Sequence, residues 1–200
     1  QFIERGETDL RVITTGSLPA SLDPSIEVVK GSLKSTEDVA RAVEGIESIY
    51  HLAGKVSRNP DEKREMYAIH VDGTRILCEA AKRAGVQRIV LASTSGTIAI
   101  TKTGKEIPNE TWPTPMEICS RWPYYASKVY QEQTAIQACG DKVELVILNP
   151  SLLLGPGDDR LSSTQDVLKF IGRDIPMIPP GGLNFVDVRD TAAAFISAME

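Results

Sequence analysis

The sequence predicts an α/β domain on a parallel sheet, and three observations carry that expectation. Short β-branched runs alternate with longer segments of helical periodicity, the pattern of strand, crossover helix and strand. The run from Arg88 to Ser93 is nearly continuous in apolar residues, as a strand covered on both faces requires. The chain has 200 residues, 42% of them hydrophobic, which suffices for one sizeable core.

Leu10 to Thr14 reads as the first strand and Ile26 to Val29 as the second. Ser35 caps a helix that runs to about Val43 and stops at Gly45, and Ser48 to Ala53 is the third strand. A long helix from Asp61 or Glu62 to Ala84 carries Ile69, Ile76, Leu77, Ala80 and Ala81 on one stripe and ends at Gly85. The buried strand Arg88 to Ser93 comes next, then a connection over 96–122 rich in Thr, Pro and Gly, of a length that usually carries function. A helix from Tyr124 to Cys139 leads to the strand Val143 to Leu148 and a Gly-Pro-Gly loop at 155–157. The pattern then loosens into a helix at Thr164 to Ile171, a proline-rich turn at 176–182, a strand at Asn184 to Val186 and a helix from about Asp190.

Composition removes several classes of function. A net charge of −5 argues against nucleic acid or an anionic membrane as partner. No apolar run approaches the ~20 residues of a membrane span, and no leader pattern opens the chain. Cys78, Cys119 and Cys139 are odd in number and lack Cys-x-x-Cys spacing, which suits reduced thiols in a cytoplasmic protein. Neither His51 nor His70 has a companion at metal-ligand spacing, so both read as structural and no metal is expected. The start at Gln1, without methionine, suggests a fragment.

The chemistry is concentrated in Pro123-Tyr124-Tyr125-Ala126-Ser127-Lys128. Four positions separate the phenol of Tyr124 from the ammonium of Lys128, which puts both on one helical face. A lysine there favours the phenolate and brings proton exchange toward neutral pH. Ser93-Thr94-Ser95 ends a predicted central strand, where open parallel sheets bind ligands, and a hydroxyl there can donate to a carbonyl oxygen as charge develops on it. Trp112 and Trp122 flank the long connection, with core packing as the default reading.

In order along the chain, these segments resemble the extended short-chain dehydrogenase/reductases, the branch with NAD-dependent epimerases/dehydratases and dihydroflavonol-reductase-like enzymes. The resemblance rests on Val28 to Leu33, Tyr50 to Gly54, His70 to Thr74, Ala81 to Val90, Ser93 to Thr97, Tyr124 to Lys128, Asn149 to Leu153 with Gly155 to Asp158, and Asn184 to Asp190. It implies a Rossmann-type doubly wound sheet over 1–150 and the beginning of a substrate-binding region over 151–200. Tyr124 would be the general acid/base, Lys128 its helper and a ligand of the nicotinamide ribose, and Thr94 the hydroxyl that polarises the substrate carbonyl. Thr15, Ser32, Leu33, Leu52, Ala53, Gly54, Pro150, Ser151, Leu152, Leu153 and Ser163 would line the dinucleotide together with Tyr124 and Lys128.

The departures are equally informative. The family's Gly-x-x-Gly-x-x-Gly turn is absent, since Gln1 to Gly6 resembles the end of the helix that comes after it. In the usual strand order 3-2-1-4-5-6 the absent first strand is central. A slot is therefore expected between the strands Leu10 to Thr14 and Ser48 to Ala53, and this piece alone is expected neither to bind cofactor well nor to catalyse. Thr14-Thr15-Gly16-Ser17 offers no acid to repel a 2′-phosphate, which leans the cofactor to NADP over NAD. Ser32 and Asn149 stand where the family more often has Asp and Arg.

The leading expectation is an NAD(P)-dependent reductase or dehydrogenase of a bulky carbonyl or alcohol, a small molecule, with homodimer formation left open. A nucleotide-sugar epimerase is the alternative enzyme, and a dinucleotide-sensing protein without catalysis is the alternative of another class.

Overall fold

A computed structural model describes all residues except Gln1, Thr8, 17–21, 159–160, Pro176 and 178–179. Ser17, Asp159, Arg160 and part of the turn expected at 176–182 therefore lie outside the described residues. Among the described residues no helix is long and apolar enough to cross a membrane.

Strands β1 (Arg11–Thr14) and β2 (Glu27–Lys30) form a parallel pair, with Ile13 opposite Val29. β3 (Ser48–His51), β4 (Arg88–Ala92) and β5 (Glu144–Leu148) form a second parallel sheet in the order β3-β4-β5. β1 and β3 are not hydrogen-bonded to each other, in keeping with the slot expected between them. They still share a core. Ile13 and Ile49 pack on one cluster formed by Val39 and Val43 of α1 (Thr36–Val43) and by Leu77 and Ala80 of α3 (Thr74–Ala84).

Helix α1 starts where Ser35 accepts a hydrogen bond from the Asp38 amide, which satisfies one of the orphan donors of its first turn. The long helix expected over 61–84 is one helical run of changing pitch: a 3-10 turn at Pro60–Glu62, α2 (Lys63–Tyr67), a π segment at Ala68–Gly73, then α3. The added residue of a π turn rotates the downstream side chains about the helix axis, and here it buries His70 and Gly73 together. Gly73 lies against Leu33, whose Cβ would stand 3.1 Å from a Cβ at that position.

Against the β3-β4-β5 sheet, Cys78, Ala81, Val86, Ile89, Leu91, Ala135, Cys139 and Val143 make the main buried cluster, with α3 and α5 (Pro123–Cys139) as cover. All three cysteines are buried free thiols. The connection before α5 contains a 3-10 turn at Ser95–Thr97 and a short helix α4 (Met116–Cys119) that the sequence pattern did not announce. Leu152–Leu154 is also a strand, β6, paired in parallel with β7 (Phe185–Asp187). α6 (Thr164–Ile171) lies between them in sequence, and α7 (Val188–Ser197) begins at Asp187, whose carboxylate accepts from the Arg189 amide.

Candidate active site

The carboxyl ends of β3, β4 and β5 and the first turn of α5 face one another, and this places the candidate residues. Pro123 opens α5 at a position where its missing N–H costs nothing, so Tyr124 sits in the first turn and Lys128 one turn later. β4 ends at Ala92, and Ser93 to Ser95 turn over the sheet edge, with the Ser95 amide bound to Pro150 O at 2.9 Å. Thr94, Tyr124, Pro150, Ser151, Leu152, Leu153 and Ser163 thereby line one cavity of about 560 Å³.

Within it the Thr94 hydroxyl and the Tyr124 phenol come from facing elements. Burial, and secondarily the neighbouring Tyr125, pushes the phenol up to about 12, with the Thr94 hydroxyl opposing. Lys128 is pushed down to about 8 by burial, against the attraction of Glu132. Its ammonium donates to Ala92 O at 2.7 Å and to Gln131 Oε1. Two of the ammonium's N–H bonds are thus held by those acceptors, and at Tyr124 burial is the largest influence. At neutral pH the phenol carries its proton and is a donor.

Polar groups fix the loop that bears Thr94. Glu132 Oε1 accepts from Ser93 Oγ, and lies 2.8 Å from Thr97 Oγ1 and 2.9 Å from Asn149 Nδ2. Asn149 Nδ2 also reaches Thr97 Oγ1 at 2.9 Å. Gly96 must be glycine for a packing reason, because a Cβ there would fall 2.2 Å from Cε1 of Tyr125. Below Tyr124, His70 pairs through Nδ1 with Ser127 Oγ at 2.8 Å and accepts from the Lys55 amide through Nε2 at 2.9 Å. Burial, and then Lys128, pushes His70 down to about 3.

The remaining expected residues lie elsewhere. Leu52, Ala53 and Gly54 are exposed just beyond β3, outside the cavity lining, and Gly54 approaches His70 closely enough that a Cβ would stand 3.1 Å from Nε2. Thr15 is exposed beyond β1. The Ser32 amide donates to Asp38 and its hydroxyl accepts from the Lys34 amide, while Leu33 packs on the α1/α3 cluster. The Ser32 hydroxyl, accepting there, keeps its own O–H free to donate. Ser163 precedes α6, its amide bound to Asp158 at 2.9 Å. Arg58, which the sequence did not flag, lines the cavity mouth and is paired with Asp166 of α6.

A dinucleotide fits this donor set at its nicotinamide end. Phenol, hydroxyl and the backbone of Pro150 to Leu153 share one cavity, and Lys128 is buried one helical turn behind the phenol.

Over residues 2–200 the chain matches the NAD dependent epimerase/dehydratase family. It is 32% identical over 202 residues to sterol demethylase protein B of Methylococcus capsulatus, covering 100% of this chain and 60% of that protein. With cinnamoyl-CoA reductase 1 of Arabidopsis thaliana it shares 28% identity over 179 residues, covering 86% of this chain and 51% of that enzyme. The crystal structure of gox2253 superposes with a TM-score of 0.85 at 27% identity, covering 98% of this chain and 60% of that one. The chain thus spans between about half and three fifths of the length of the relatives it matches.

Proposed function

The chain belongs to the NAD dependent epimerase/dehydratase family, and we propose that it carries the acid/base centre of an NAD(P)-dependent reductase or dehydrogenase. The supporting observation is that Thr94, from the end of β4, and Tyr124, from the first turn of α5, line the same cavity, with Lys128 one helical turn behind the phenol. Tyr124 delivers its proton to the substrate carbonyl oxygen in reduction and takes it back in oxidation. Its raised pKa suits the reductive direction at neutral pH, since the phenol is present as the acid. Thr94 supplies a second donor to the same oxygen. Lys128, with the Pro150 to Leu153 backbone, holds the nicotinamide ribose side, and Leu52 to Gly54 lines the rest. Thr15, Ser32 and Leu33 lie toward the adenosine, where hydroxyls without an acid favour NADP. The bound nicotinamide supplies the hydride, and the chain supplies position and proton.

The substrate is read as an uncharged, bulky carbonyl or alcohol. Val56, Trp122, Tyr125, Leu183 and Val188 wall the cavity, and Arg58 is already matched by Asp166. Among the described residues Arg58 is the one lysine or arginine that lines it. The test is turnover by the whole protein. Reduced dinucleotide should be consumed with aromatic or alicyclic ketones and aldehydes, and Thr94→Val should lower kcat by about 10- to 1000-fold. Conversion of nucleotide sugars with no net dinucleotide consumption would instead establish the epimerase reading.

A further inference from the structure

Behind Tyr124 runs a buried hydrogen-bonded chain that crosses three elements. Gln131, fully buried on α5, accepts the Lys128 ammonium through Oε1. Its Nε2 donates to Thr74 Oγ1 of α3 at 2.9 Å and lies 3.2 Å from His51 Nε2 of β3. Thr74 Oγ1 in turn lies 2.7 Å from His51 Nε2. Among the described residues every buried side-chain polar atom has a partner.

The chain has a direction. The Lys128 ammonium can only donate, so Gln131 must turn its amide oxygen toward it. The amide nitrogen then faces Thr74 Oγ1, to which it donates, and His51 Nε2. An ammonium has three N–H bonds. Gln131 and Ala92 take two of them, which leaves one direction for the third. A lysine on four flexible carbons would otherwise sample many.

We propose that Gln131 is a positioning residue for Lys128, its amide locked by Thr74 and His51 so that the ammonium is aimed from one fixed point. The inference rests on the reading of Tyr124 and Lys128 as the acid/base pair. Other titratable groups around Lys128 are Glu132 on the same helix, His51 on β3, His70 on the π segment, and Tyr124 and Tyr125 in the first turn.

The test tracks the Lys128 side chain by NMR titration of labelled lysine in the whole protein, alongside the pH profile of kcat/KM. Gln131→Glu places a carboxylate against the ammonium and should raise the Lys128 pKa by about one unit or more. Gln131→Met removes an acceptor of the charged form and should lower it. Thr74→Val, which touches Gln131 without touching Lys128, should lower it as well and raise KM for the dinucleotide more than it changes kcat. If Gln131→Met fails to fold, the other two variants still report. An unmoved Lys128 titration and pH profile in folded Gln131→Glu and Thr74→Val proteins would reduce Gln131 to core filling. The NMR reading needs no turnover, so it separates this inference from the catalytic one: an active Tyr124→Phe would remove the latter and leave the Lys128 shift to be judged by itself.

Discussion

Single residues in this site are governed by burial more than by their charged neighbours. Tyr124 rises to about 12 and Lys128 falls to about 8, both chiefly because leaving water penalises the charged form. The same cause drives His51 and His70 down to about 3. Both therefore stay neutral in the folded state while unfolded chains take up protons below about pH 6.5. The unfolded state binds more protons between about pH 6.5 and 3, so stability falls as pH drops through that window. By pH 5 each histidine is expected to cost about 2 kcal/mol. Urea unfolding of the whole protein at pH 7 and pH 5 measures this, and His70→Asn should remove about half of the difference; equal midpoints at the two pH values would contradict it. Tyr124, Lys128 and Thr94 were legible because spacing and strand-end position mark them. Gln131 and Glu132 were not, since their roles are defined by His51, Thr74, Ser93 and Asn149, which come from distant parts of the chain.

At the scale of elements, boundaries came from caps and periodicity. Ser35 and Gly45 bracketed α1, and the near-continuous apolar run marked β4, whose Ile89, Val90 and Leu91 are buried. The π segment at Ala68–Gly73 escaped notice because one extra residue barely disturbs an apolar stripe while it turns His70 into the core. β6 escaped because three residues after Asn149-Pro150 carry too little alternation to read as a strand. Among the glycines, the closest approach to a neighbouring side chain is Gly96 beneath the Tyr125 ring. Gly96→Ala forces that ring, and with it the Thr94 loop, to move, so it should cost about 1–3 kcal/mol and lower activity. Thermal denaturation of the variant, with kcat measured beside it, tests this, and an unchanged melting point and rate would show that the ring moves freely.

For the whole molecule, the parallel order β3-β4-β5 and the separate β1-β2 pair agree with the doubly wound class that the alternating pattern predicted. The two sheets are joined through helices, since α1 and α3 cover Ile13 and Ile49 together. At the strand ends the phenol and the Thr94 hydroxyl line one cavity, and the Lys128 ammonium reaches the Ala92 carbonyl at the end of β4. The turn at Ser32 and Leu33 was the least legible part, because the Ser32 amide is held by Asp38 and Leu33 packs on the α1/α3 cluster, contacts made with residues the local pattern does not mark. The central claim is that Tyr124 moves the proton. It is tested most directly by Tyr124→Phe in the whole protein, reading both turnover and reduced-dinucleotide binding. The account predicts turnover lower by at least about 100-fold with dinucleotide affinity within about threefold of the parent; turnover at the parent rate would contradict it.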